Sequence, residues 1–215
     1  MHKKALSVAL LAVIASAPVT AFADEHNLLG DSSFENRAQP DEGGWTLFDE
    51  SVISTAQART GVQSMYNGGL SQTTTYPPYF VGMVSGSFQE FPAEPGSQWQ
   101  LVGYGMTPVK LAGAPAFGIL QISFFDAEGK DIGTVETADS PTGKAKLSNE
   151  VNNQTEPGEW TLLDTGVATA PEGTASVQAF TLYVDYSGTN QSQGVFFDDL
   201  TLCEVGEDGS ACESD

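Results

Sequence analysis

Gly194-Val195-Phe196-Phe197-Asp198-Asp199-Leu200-Thr201-Leu202-Cys203 is the stretch on which the fold turns. A run this short, rich in aromatic and β-branched residues and preceded by a polar segment, predicts a strand rather than a helix. The same kind of run recurs upstream. The expected strands are Leu28–Phe34, Trp45–Asp49, Val52–Ala56, Gln63–Asn67, Val84–Phe91, Gln98–Thr107, Phe117–Asp126, Asp131–Thr137, Trp160–Thr165 and Ala175–Tyr186. Between them lie turn-forming clusters such as Pro92-Ala93-Glu94-Pro95-Gly96, Asp126-Ala127-Glu128-Gly129-Lys130 and Pro171-Glu172-Gly173. Proline presets φ in such turns and glycine supplies positive φ. No sustained helical stripe follows Ala23, so the fold class is all-β, a two-sheet β-sandwich. Two longer connections, Gly68 to Phe80 and Ala138 to Gly158, are candidates for functional loops.

The N-terminus has the three parts of an export signal: Lys3 and Lys4, the apolar run Ala5 to Ala15, and Ala21-Phe22-Ala23 before Asp24. The apolar run is too short to span a bilayer. Residues 1–23 are therefore expected to be a signal peptide cut after Ala23, 24–204 a single β-domain, and 205–215 an acidic tail. The expected destination is the periplasm or the medium. Cleavage removes two lysines and no acid, moving the net charge from −20 to −22. That charge opposes binding to nucleic acid or anionic lipid. In an oxidising compartment Cys203 and Cys212 would form one disulfide that staples the tail, with a reactive thiol pair as the alternative.

Taken in order, Asn27-Leu28-Leu29-Gly30-Asp31-Ser32-Ser33-Phe34-Glu35, Gly44-Trp45, Arg59-Thr60-Gly61-Val62-Gln63-Ser64, Pro95-Gly96-Ser97-Gln98-Trp99, Gly158-Glu159-Trp160-Thr161 and Phe196-Phe197-Asp198-Asp199-Leu200-Thr201-Leu202 form a pattern. It resembles a carbohydrate-binding module of the group joining families 4, 9, 16 and 22. The resemblance implies a jelly roll of the galactose-binding-domain-like type. It also implies a structural calcium ion (Ca2+) held by Glu35 and Asp198 with backbone carbonyls, oxygen ligands of the hard kind that calcium takes. Asp199 is expected to point away from Asp198, by strand alternation.

Strand parity nominates a ligand-binding face. Alternation sets Gln100 and Tyr104, Gln121, Ser123 and Phe125, and Tyr183 and Asp185 on the non-core side of one sheet. Tyr76 and Tyr79, in the first long loop, would extend it, while Trp45, Trp99 and Trp160 are assigned to the core. Aromatic rings offer flat faces to the C–H groups of a pyranose, and amides and carboxylates read its hydroxyls. The expected partner is a polysaccharide or glycan. Catalysis has less support: beyond the signal the only histidine is His26, and no G-x-S-x-G occurs. A carboxylate pair for glycoside hydrolysis or a lyase reaction has no recognisable context among the 28 acids. The remaining alternative is a structural or adhesive surface protein on the same fold.

Overall fold

The computed structural model describes residues 27–36, 44–68, 74–76, 80–111, 116–137, 145–186, 193–206 and 212, without the side chains of 74–76 and 80–83. The strands among them are β1 Thr46–Phe48, β2 Ser51–Ser54, β3 Ser64–Gly68, β4 Thr74–Tyr76, β5 Phe80–Pro92 and β6 Gln98–Met106. They continue as β7 Ala116–Phe125, β8 Lys146–Leu147, β9 Thr161–Asp164, β10 Ala168–Thr169, β11 Ser176–Asp185 and β12 Gly194–Glu204. One sheet has the order β1-β5-β11-β7-β8, with β4 also on β5. The other has the order β10-β6-β12-β3-β2, with β9 also on β6. Every strand pair is antiparallel.

The sheets stack because each has an apolar row to bury. Leu120, Ile122 and Phe124 of β7 and Val177, Ala179 and Tyr183 of β11 share one cluster with Met65, Leu101, Phe197, Leu200 and Leu202 of the other sheet. Burial of this kind contributes roughly 25 cal/mol per Å² of apolar surface. Close approach of the sheets depends on Gly118, where an added Cβ would lie 2.7 Å from Val195 Cγ2. The result is the expected two-sheet sandwich.

Two expected strands are not strands. Leu28–Phe34 is a turn, with Asp31 and Phe34 at φ of 46° and 59°. The turn drives the Phe34 ring into the core, 5.1 Å from that of Trp45, whose Nε1 donates to Asp31 O at 3.2 Å. Two backbone bonds tie it to β12: Leu28 N donates to Leu202 O at 2.9 Å, and Leu200 N donates to Ser32 O at 3.0 Å. Asp131–Thr137 makes a single bridge, Asp131 to Phe125, and then a 3-10 helix at Val135–Thr137. Thr134 and Thr137 close that turn on each other, with hydroxyl oxygens 2.9 Å apart.

The long connections also carry structure. β4 folds back on β5 within the first, and in the second β8 pairs with β7 and Val151 bridges Gly118. Trp45 and Trp99 are buried, but Trp160 is only half-buried, just ahead of the short strand β9. Cys203 and Cys212 form the disulfide, and Cys212 N donates to Gln100 Oε1 at 3.1 Å. The signal segment and Tyr79 lie outside the described residues.

Candidate ligand face and carboxylate seat

The residues nominated by parity do not share one face. β6 belongs to one sheet, and β7 and β11 to the other, so Gln100 and Tyr104 are separated from Gln121 and Phe125 by the thickness of the sandwich. Within β11 the phase is the reverse of the expected one. Tyr183, fully buried, and Thr181 point between the sheets, as does the parity-related Asp185, 3% exposed. The physical reason is a buried polar network: Asn67 Nδ2 donates to Thr181 Oγ1 at 2.9 Å, and the Ser87 hydroxyl lies 2.8 Å from the same oxygen. Polar side chains satisfied by one another can occupy the inner row, which leaves the apolar ones for the outer row.

The outer row of β11 therefore presents Gln178, Phe180, Leu182 and Val184. The register sets Gln178 beside Ser123 and Glu90, Phe180 beside Gln121 and Phe88, and Leu182 beside Ile119 and Gly86. Phe48 of β1 lies opposite Gly86, where a Cβ would come within 2.7 Å of its Cζ. Ile119, Leu182 and Val184 are buried, and Phe48, Val84, Phe117 and Phe180 pack against them half-buried. The Phe88 and Phe180 rings stand 5.2 Å apart. At one end Gln178 Nε2 donates to Glu90 Oε2 at 3.0 Å. A hollow of about 460 Å³ opens there beside Phe125, Asp126 and Ser176. Glu90 is the only charged side chain on the outer rows of β5, β7 and β11 among the described residues. Gln121 and Phe125 thus lie where parity put them. Phe48, Phe88, Phe180 and Gln178 were missed because an apolar outer row reads as core.

Gln100 and Tyr104 have other employment. Gln100 is buried, its Nε2 donating to Asp164 Oδ1 at 2.8 Å while its Oε1 receives Cys212 N. The Arg59 guanidinium carbon sits 3.5 Å over the centre of the Tyr104 ring, covering the face a sugar would use. Arg59 Nη1 is also 2.7 Å from Asp199 Oδ2. Tyr76 lies in β4 at the edge of the first sheet.

Glu35 and Asp198 converge on one five-residue segment. Glu35 Oε1 accepts Val62 N and Gln63 N, each at 2.9 Å. Asp198 Oδ2 accepts Arg59 N at 2.7 Å and Thr60 N at 3.3 Å, and its Oδ1 accepts Asp199 N at 2.9 Å. Gly61, at φ of 60°, passes so near Glu35 that a Cβ would collide with the carboxylate. Asp198 is fully buried. Burial pushes its carboxyl up to about 7, helped by the charge on Asp199 and opposed by the amides of Arg59, Asp199 and Thr60. Strand alternation fails at this point. A bulge between Asp198 and Thr201, with Asp199 at φ of 49°, turns Asp199 toward Arg59 and Thr60 as well. The donors are oxygens only, which suits a hard cation, and a buried carboxylate without a cationic partner gains from one. Among the described residues no three His, Cys, Asp or Glu side chains group as a metal site, so carbonyl oxygens would have to complete the shell.

This geometry defines a β-sandwich with aromatic and amide side chains along the outer rows of one sheet. No family model matches the sequence, and no curated protein does. Solved structures do match in fold. A xylan-binding domain from carbohydrate-binding-module family 22 aligns at 13% identity over 88% of this chain and 99% of its own, with a TM-score of 0.52. The C-terminal family 22 module of Clostridium thermocellum Xyn10B aligns at 14% identity over 84% and 96%, with a TM-score of 0.50. An arabinose-bound family 51 α-L-arabinofuranosidase aligns at 11% identity over 86% of this chain but 27% of its own, with a TM-score of 0.53. The chain therefore has the β-sandwich fold of carbohydrate-binding modules.

Proposed function

We propose that this chain is an exported, non-catalytic glycan-binding protein whose ligand lies along the outer face of the sheet formed by β1, β5, β11, β7 and β8. The observation that carries the reading is that face itself, where the half-buried rings of Phe48, Phe88, Phe117 and Phe180 adjoin the carboxamides of Gln121 and Gln178 on rigid strands. Rings supply stacking surface and the amides exchange hydrogen bonds with hydroxyls, the two contacts a pyranose chain offers. The fold shared with family 22 modules, one of them described as xylan-binding, supports the same reading.

The ligand is an uncharged polysaccharide. Among the described residues the outer rows of β5, β7 and β11 hold one carboxylate and no cation to balance a uronate or sulfate, and the acidic chain as a whole repels polyanions. A calcium ion held by Glu35 and Asp198 would neutralise the carboxylates and tie the 59–63 segment to β12. Export through residues 1–23 would bring the domain to calcium and to glycans together.

Affinity electrophoresis of the mature protein through gels containing xylan, β-glucan, galactan or polygalacturonate, with reducing-end release assayed in parallel, tests the reading. Retardation by a neutral polymer without release is expected. Release of reducing ends, or retardation only by the polyuronate, would overturn it.

A further inference from the structure

The space between the sheets contains a polar seam that the ligand face does not use. Ser51 of β2, Asn67 of β3, Ser85 and Ser87 of β5, and Thr181 and Tyr183 of β11 are each at most 6% exposed. Part of the seam is closed by protein bonds, those of Asn67, Ser87 and Thr181 already described and that of Ser85 Oγ, donating to Gly68 O at 2.7 Å. Among the described residues, three buried atoms find no hydrogen-bond partner: Ser51 Oγ, Asn67 Oδ1 and Tyr183 Oη.

The register brings these three groups to one region. Ser51 lies directly opposite Asn67 in the β2–β3 pair. Asn67 reaches across to Thr181, and Tyr183 is the next residue along the same inner row. Tyr183 is also paired with Ser85, which bonds the carbonyl of Gly68, the neighbour of Asn67. Burial, with the charge of Asp185 and then the Tyr66 phenol, raises the Tyr183 pKa well above its usual value, so this hydroxyl stays a neutral donor.

We propose that the seam is a binding site for ordered internal water, which donates to Asn67 Oδ1 and exchanges hydrogen bonds with the hydroxyls of Ser51 and Tyr183. The chemistry is complementary: one group can only accept, two can do either, and water offers two donors and two acceptors. Buried polar groups without protein partners are where internal waters reside, commonly with about three hydrogen bonds each. The site holds β11 in its inverted phase, because inner Thr181 and Tyr183 are interleaved with outer Phe180 and Leu182. It stands independently of what the outer face binds.

Two measurements test it. A high-resolution crystal structure of the wild-type mature protein is expected to show water oxygens within hydrogen-bond distance of Asn67 Oδ1 and Tyr183 Oη. Oxygen-17 relaxation dispersion is expected to count at least one fewer long-lived water in Tyr183→Phe than in the wild type. A seam empty of solvent density, or the three groups bonded directly to protein atoms, would overturn the proposal. So would an unchanged water count accompanied by a higher melting temperature in Tyr183→Phe, the behaviour of an unpaired hydroxyl removed from a dry core.

Discussion

Asp198 concentrates the tension in the carboxylate seat. Its folded carboxyl titrates near 7 against an ordinary value of 3.8, so between these limits the native state binds a proton that the unfolded state has released. The contribution is fully present below about pH 4 and is lost as pH rises through 7. In chelator the stability should fall across this window, by up to about 4 kcal/mol on the scale of 1.36 kcal/mol per pKa unit. Denaturant melts at several pH values read the slope, and Asp198→Asn should remove it. Calcium should flatten it in the wild type, since a cation substitutes for the proton. Gly61 offers a second test: Gly61→Ala combines a left-handed φ with collision against Glu35 and should cost about 1–3 kcal/mol by chemical denaturation. Tyr104→Ala, in contrast, should leave glycan retention intact, because Arg59 already covers its ring.

Strand β11 shows how far the sequence could be read and where the reading stopped. Nine of the expected strands stand within a few residues of their positions, because turn chemistry and runs of aromatic and β-branched residues are local signals. Which face of a strand turns inward is not local when both rows are mixed. Phe180, Leu182 and Val184 read as core against Thr181, Tyr183 and Asp185, and the buried partners that reverse this come from β3 and β5, more than ninety residues away. The pairing of β6 with β12 rather than with β7 was equally out of reach, and so was the bulge that redirects Asp199. Glu35 and Asp198 were nominated by the family resemblance, and the structure brings both onto the 59–63 segment; of the residues nominated for the proposed ligand face, only Gln121 and Phe125 lie on the outer rows of β7. Thr181→Val tests the explanation of the phase. By stranding Asn67 Nδ2 and the Ser87 hydroxyl it should destabilise the fold by about 1–3 kcal/mol in urea melts, although valine is the better strand former.

Across the sandwich, the two outer surfaces differ in what they carry. The β6–β12 side carries the disulfide, the Gln100–Cys212 contact and the Arg59–Tyr104 stack, and it fastens the tail and the 59–63 segment. The β5–β11–β7 side carries the aromatic and amide rows of the proposed ligand face. Reducing Cys203–Cys212 opens only a short loop, so it should cost at most about 3 kcal/mol and leave glycan binding unchanged in the reduced, folded protein. The decisive measurement is affinity electrophoresis in a neutral polysaccharide, comparing the wild type with Phe180→Ala, Gln178→Ala and Tyr104→Ala, each first shown to be folded by circular dichroism. Retention of the wild type and Tyr104→Ala, with at least about a tenfold loss of affinity in Phe180→Ala and Gln178→Ala, is the expected result. Loss in Tyr104→Ala with full retention of Phe180→Ala and Gln178→Ala would place the ligand on the opposite sheet and contradict the account.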